Sequence, residues 1–169
     1  MDGVSMRRAR ATDLAAIQRL IADAYAKYIV RIGKPPAPMT ADYAAALENS
    51  RVWVLQERDT LVGAMVTEDR RDHVLLETVA VDTRSQGRGF GRLLLERAER
   101  DAVELGYGEV RLYTNEAMTE NLSFCSRHGY RETGRAIEDG FHRVFFSKAV
   151  HVSKNGVGDL SDRHRGDDL

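Results

Sequence analysis

Between Leu75 and Glu99 an apolar run, a turn holding three glycines and an amphipathic segment follow one another without a break. Leu75–Val81 is rich in β-branched residues and reads as a strand, whereas Leu94, Ala98 and Leu105 recur at helical spacing with charges between them. Gly87, Gly89 and Gly91 therefore sit where a strand hands over to a helix. Without Cβ atoms, successive backbone N–H groups can approach one ligand closely. The first helical turn adds unpaired N–H groups and the positive end of a dipole, which suits a phosphate or pyrophosphate. Arg84, Arg88 and Arg92 place positive charge around the loop. A plain strand-to-helix turn with solvated arginines accounts for the same residues equally well, since glycine motifs recur in many folds.

Spacing excludes two common phosphate loops. A P-loop needs Gly-Lys followed by Ser or Thr, which is missing here, and a G-x-G-x-x-G fingerprint counted from Gly87 and Gly89 puts Arg92 in the last place. What remains is Gln86-x-x-Gly89-x-Gly91 between a strand and a helix. This pattern resembles the acyl-CoA-binding loop of the GNAT superfamily of acyl-CoA-dependent N-acyltransferases. The resemblance implies acetyl-CoA as cosubstrate and no metal.

A chain of 169 residues with 43% hydrophobic content suits one domain with a proper core, expected over residues 1–150. Residues 151–169 are polar and read as a disordered tail; His151 and His164 lie too far apart to suggest a metal site. A formal charge of -1, from 25 basic and 26 acidic residues, argues against general affinity for nucleic acid or anionic membranes. The single Cys125 cannot form an internal disulfide, and no signal peptide or membrane span is evident, so the cytoplasm is the expected compartment. A monomer or homodimer is expected.

Ser5–Ala9 reads as a short strand, and Thr12 as the cap of a helix whose apolar face is Leu14, Ile17, Leu20, Ile21, Ala24 and Tyr28. That helix is expected to run to Ile32-Gly33. Lys34–Pro38 then reads as a stiff, exposed connector holding all three prolines, with Thr40 capping a second short helix. Residues 51–56 and 61–67 suit a hairpin, Val110, Leu112 and Thr114 alternate as a strand, and residues 119–128 suit a helix ending at Gly129. Tyr130–Arg135 and Phe141–Ala149 read as a last hairpin around Glu138-Asp139-Gly140.

The order β-α-α-β-β-β-α-β-α-β-β is similar to the GNAT layout over Met6–Val150, which implies an α/β (α+β) fold: a mainly antiparallel twisted sheet of about six to seven strands flanked by four helices. A second stretch, Leu112–Asn115 and Asn121–Tyr130, resembles the family's strand, helix and Gly-aromatic ending. By that resemblance the backbone of Val79, Ala80 and Val81 meets the pantetheine arm and the thioester carbonyl, because the strand splays from its neighbour. Gln86, Gly87, Arg88, Gly89, Phe90, Gly91 and Arg92 hold the pyrophosphate, with Asn121 and Phe124 also near the cofactor. Many members place a tyrosine general acid where this chain has Cys125, and an asparagine where it has Met118. The Cys125 thiol then either replaces the acid or is a small buried hydrophobe. The region between the first two helices commonly borders the acceptor in this family, which points to Tyr25, Tyr28, Arg31 and Met39; the tyrosines also suit a core role.

Acyl transfer to an amine needs a base, because a lysine-like amine with a pKa near ~10.4 is protonated at neutral pH. Glu77, on the key strand, is placed by a two-residue period on the face of Val79 and Val81. It is either a general base or an edge carboxylate paired with an arginine. The expected activity is acetyl transfer from acetyl-CoA to a primary amine on a small molecule or peptide, in a ternary complex. The alternative is an acyl-CoA-binding or regulatory module with little transferase activity.

Overall fold

The computed structural model describes residues 3–152. The expected disorder of the tail concerns residues of which all but 151 and 152 lie outside that range. One seven-stranded sheet carries the chain, in the order β1-β2-β3-β4-β5-β7-β6. Its strands are β1 (Val4–Arg8), β2 (Arg51–Glu57), β3 (Thr60–Asp69), β4 (Val74–Val81), β5 (Glu109–Asn115), β6 (Arg131–Glu138) and β7 (Phe141–Ala149). All neighbours are antiparallel except β4 and β5. A parallel pair needs a crossover, and the helix read after the glycines supplies it.

Among the described residues there are six α-helices where four were expected: α1 (Leu14–Tyr25), α2 (Tyr28–Ile32), α3 (Ala37–Thr40), α4 (Tyr43–Asn49), α5 (Phe90–Leu105) and α6 (Thr119–Arg127). The helix read through to Ile32 is broken at Ala26-Lys27. The proline segment is not an exposed spacer either: Pro36 is buried and Pro38 lies inside the first turn of α3, where a missing N–H costs nothing. Asp42, not Thr40, caps α4 by accepting from Ala45 N at 3.0 Å. At α1, Asp13 and not Thr12 holds the N-cap position; its carboxylate makes no cap bond to the helix and accepts instead from the Arg10 backbone and from Arg7.

The helices divide the core in two. On one face α5 presents Phe90, Leu94, Ala98 and Ala102 to Leu55, Met65, Leu76 and Val110. On the other, α1 presents Ile17, Leu20 and Ile21 to Val52, Val54, Ala64 and Val66. The last hairpin turns at Asp139 and Gly140, both at positive φ, as the Asp-Gly pair predicts for a two-residue turn. Among the described residues Asp101 is the one charged side chain that is fully buried, and its carboxylate accepts from Trp53 Nε1 at 2.8 Å and from Arg97 at 2.7 Å. That pairing satisfies a charge that burial would otherwise make costly.

Candidate active site

Two irregularities in β4 shape the site. The first is a bulge. Val66 pairs with Thr78 and Thr67 with Leu76, so Glu77 is the extra residue of β4 with no partner on β3. An inserted residue reverses the alternation of faces beyond it. Val79 and Val81 pack on the α5 side and Ala80 on the α1 side, yet Val74 and Leu76 are also on the α5 side. Glu77 consequently does not share a face with Val79 and Val81, as a strict two-residue period predicted. It stands with Thr78 on the side of α1 and α4.

The second irregularity is a gap. β4 and β5 pair only at Val74–Leu76 with Val110–Leu112, and beyond Leu76 the two strands part. Val79 turns its carbonyl away from β3, where it accepts from the Tyr25 hydroxyl at 2.7 Å, and the Val81 carbonyl accepts from Gln86 Nε2 at 3.2 Å. N–H and C=O of one strand residue point the same way in an antiparallel ladder, so the N–H groups of Val79 and Val81 also face the gap. Ala80, one residue out of phase, faces β3.

At the end of the gap lies the glycine loop. Gly87 (φ 81) and Gly89 (φ 85) adopt the left-handed conformation, and a Cβ on either would meet nothing within 4 Å. The loop is therefore open on its outer side. Gly89 is the N-cap of α5 and makes no side-chain cap bond, which leaves the N–H groups of Phe90, Gly91 and Arg92 without intrahelical partners. Gly91 is needed for another reason: a Cβ there would lie 2.9 Å from Phe124 Cζ. These observations fit a pyrophosphate group.

The side chains expected to supply charge are largely engaged elsewhere. Arg88 is bidentate to Glu57 at 2.9 and 2.6 Å and stacks over Phe90, and Arg92 bonds Glu96 at 2.8 Å. Arg84 lies 3.5 Å from Asp82. The Phe90 side chain is fully buried core. What the loop presents is therefore backbone. Asn121, on α6, has its Nδ2 3.5 Å from Met118 Sδ.

Glu77 opens into a small cavity of about 50 Å³ lined by Tyr25, Ile32, Pro36, Ala37, Pro38, Tyr113, Met118, Phe141 and Arg143. Burial, reinforced by a hydrogen bond with the Glu68 carboxyl and by its charge, raises the Glu77 carboxyl to about 7; Arg70 partly opposes this. Arg143 stacks 4.5 Å over the Tyr113 ring and bonds Glu138 at 2.6 Å. Lys34 Nζ donates to the Asp139 carbonyl at 3.0 Å and sits 3.9 Å over the Phe141 ring, tying the α2–α3 segment to the last hairpin beside this cavity.

Of the four predicted acceptor residues, only Tyr25 lines the cavity. Its hydroxyl is pushed up by burial and spent on Val79. Arg31 is bidentate to Glu120 at 2.8 Å, and Tyr28, raised to about 12 by burial and by Glu120, lies under the Arg31 guanidinium. Met39 packs against the α1-side core. The lining residues that sequence reasoning passed over, Tyr113, Phe141 and Arg143, come from β5 and β7. Tyr113 lies past the end of the β4–β5 pairing but is still paired with β7, a placement that no residue pattern within either strand marks. Cys125 is buried in the α5-side core, and burial pushes its thiol up to about 11.

The model of the Acetyltransferase (GNAT) family matches residues 15–130. The chain belongs to the GNAT acetyltransferase family. Among solved structures, the ribosomal-protein-S18-alanine N-acetyltransferase from Escherichia coli superposes with a TM-score of 0.72 at 19% identity, over 92% of this chain and 99% of that one. PaiA N-acetyltransferase from Thermoplasma acidophilum in complex with coenzyme A gives 0.73 at 15%, over 86% and 98%. Nourseothricin acetyltransferase gives 0.69 at 20%, over 88% and 99%. No curated sequence relative matches. These likenesses establish the GNAT fold, including its mainly antiparallel seven-stranded sheet. Among the described residues, no helix is long and apolar enough to cross a membrane and no cluster of three or more His, Cys, Asp or Glu is arranged for a metal.

Proposed function

We propose that the protein transfers an acetyl group from acetyl-CoA directly to a primary amine held with it in a ternary complex. The observation that carries this reading is the placement of Glu77. A bulge turns a half-buried carboxyl into an apolar cavity that borders the gap between β4 and β5.

Acetyl-CoA supplies the activated thioester. The N–H groups of Gly87 to Arg92 receive its pyrophosphate, and those of Val79 and Val81 its pantetheine arm and acetyl carbonyl, with Phe124 and Asn121 along the other wall. Preorganised donors of this kind are each worth about 3 kcal/mol where water is excluded. The acceptor enters as an ammonium between Tyr25, Tyr113 and Phe141, and Glu77 takes a proton from it. A carboxyl raised to about 7 matches that task near neutral pH, being ionised enough to accept a proton and basic enough to hold it. Cys125, enclosed in the core, serves packing. The related enzymes are named for a ribosomal-protein alanine and for nourseothricin, so peptide and small-molecule amines both belong among the candidate acceptors.

The test combines binding and turnover. Thermal unfolding with saturating acetyl-CoA, CoA, ATP and NAD should show stabilisation by the two CoA species alone; a ligand at a hundredfold its Kd adds about 2.7 kcal/mol. Glu77→Gln should keep that shift and lose about a hundredfold or more in kcat/KM toward an accepted amine. Absence of any CoA shift would refute the cofactor site. A CoA shift with no turnover of any peptide or small-molecule amine would favour an acyl-CoA-binding module, a reading consistent with the buried thiol at Cys125.

A further inference from the structure

The two faces of the sheet are not covered alike. On one side α5 shares a core with Leu76, Val110, Leu112, Val144 and Phe146, which come from β4, β5 and β7. On the other, α1 and α4 bury residues of β2 and β3 and Ala80 of β4, and among the described residues none of β5, β6 or β7 belongs to that core. Side chains alternate along a strand, so Leu75, Tyr113 and Phe145, each next to a residue buried on the α5 side, stand on this second face. Tyr113 pairs with Phe145, and their ring centroids are 6.2 Å apart. Gly134 faces Phe145 from β6 and puts no side chain over it. Leu75, Tyr113 and Phe145 make the floor of an open groove of about 560 Å³.

The groove begins where the acceptor cavity ends. Tyr113 lines both, and Arg143 on the cavity side bonds Glu138 on the groove side at 2.6 Å. The cavity itself holds little: about 50 Å³ takes the amine and roughly three further heavy atoms, at about 10–15 Å³ for each water-sized group. A larger acceptor has to continue outside it. The charged groups around the groove are already matched within the protein. Arg70 is held by Glu68 at 2.6 Å, Arg111 by Glu109 at 2.8 Å and Glu138 by Arg143, while His73 Nδ1 lies 2.6 Å from Asp72. The Ser147 hydroxyl donates to Glu109. What is left for a ligand is the apolar floor. A sheet face presents side chains and keeps its backbone groups within the ladder, so it offers no pairing to a peptide backbone.

We infer that this groove is the acceptor-specificity subsite of the transferase and takes an uncharged, apolar body: the acceptor is a primary amine at the end of an alkyl or arylalkyl chain too long for the cavity alone. This rests on the reading of the cavity as the amine site. The ammonium stands at Glu77, the nearest carbons pass between Tyr25, Tyr113 and Phe141, and the remainder lies along Tyr113, Phe145 and Leu75, where release of water from both apolar surfaces favours binding. The opening beside α4 that Glu77 also borders suits such a body less well. It holds about 190 Å³ and its walls include Asp42, Asn49, Ser50 and Glu68.

Unbranched primary alkylamines from ethylamine to octylamine, assayed with acetyl-CoA, test this. Beyond butylamine kcat/KM should rise by about twofold per methylene, about fifteenfold by octylamine; the factor is that of half-burying each methylene, since the groove is open on one side. The terminal diamine of octane has the same length with a charged end for which the paired carboxylates of the groove offer nothing, and it should react about tenfold less well than octylamine. Leu75→Ser and Phe145→Ser should each flatten the gradient to about fivefold or less, with CoA-induced thermal stabilisation as the check that the variants are folded. A flat series, equal rates for octylamine and the diamine, or an unchanged gradient in both variants overturns the proposal, and so does a preference for a short peptide amine over octylamine. A dimer in sedimentation that Phe145→Ser dissociates would give the face to a second copy of the chain and likewise overturn it. Turnover of short amines with no dependence on length defeats the groove alone, whereas no turnover of any amine, with CoA binding intact, defeats the transferase reading and the groove with it.

Discussion

Gly91→Ala sets two effects of opposite sign against each other. Gly91 lies inside α5, where alanine is favoured over glycine by about 1 kcal/mol. Against this, the new Cβ would lie 2.9 Å from Phe124 Cζ and 3.3 Å from Cε2, inside the ordinary carbon contact distance of about 3.5 Å. The ring has little freedom to yield. It is half-buried, its centroid is 4.3 Å from that of His128, and His128 Nδ1 lies 2.7 Å from the Phe124 carbonyl oxygen. Overpacking of this kind costs about 1–3 kcal/mol, so the single substitution should lower stability by a net amount of up to ~2 kcal/mol. With Phe124→Leu in the background only the helix preference is left, and Gly91→Ala should then stabilise by about 0.5–1 kcal/mol. Urea unfolding of the four proteins of the cycle, with the m-value unchanged, measures the coupling, expected at about 1–3 kcal/mol. Equal stabilisation by Gly91→Ala in both backgrounds would show that the close approach of Phe124 is not what requires glycine.

Gly89→Ala should be destabilising for an unrelated reason: φ is 85 with open space around the missing Cβ, so the cost is left-handed backbone strain of about 1–2 kcal/mol. It should add to Phe124→Leu without coupling, and Gly89→Asn should cost less; thermal unfolding at about 2–4 °C per kcal/mol resolves both. Glu77 predicts a pH dependence of stability. Its folded value of about 7 lies above the ordinary 4.5, so the native state binds more protons than the unfolded chain between those values. The associated stability is present at low pH and lost as pH rises through the folded value. Glu77→Gln should accordingly raise the unfolding midpoint relative to wild type at about pH 8 and leave it nearly unchanged at about pH 4, and an equal effect at both would contradict the assigned burial.

The secondary structure was legible wherever one local rule acted alone. Leu94, Ala98 and Leu105 marked α5, the Asp139-Gly140 turn marked the last hairpin, and the alternation of Val110 and Leu112 marked β5. Local rules failed where backbone groups found competing partners. Thr40 and Thr12 were plausible caps by residue type, but Asp42 and Asp13 hold those positions in space. The charge of the loop was misread for a related reason: the arginines were visible, while Glu57, 31 residues away from Arg88, was not recognisable as its partner.

By itself the sequence determined the order of the strands and of the longer helices, the glycine turn between β4 and α5 and, through both, the family, because each depends on residues close together in the chain. The tertiary structure decided which face Glu77 occupies. A bulge is a property of two strands in register, and no periodicity within β4 records that Thr67 pairs with Leu76 while Val66 pairs with Thr78. It likewise decided that Arg31 closes on Glu120 and that Tyr113, Phe141 and Arg143 meet around the acceptor cavity. Ion pairs and cavity walls join residues brought together by the sheet order, in which β7 inserts between β5 and β6, and that order is fixed by long-range pairing.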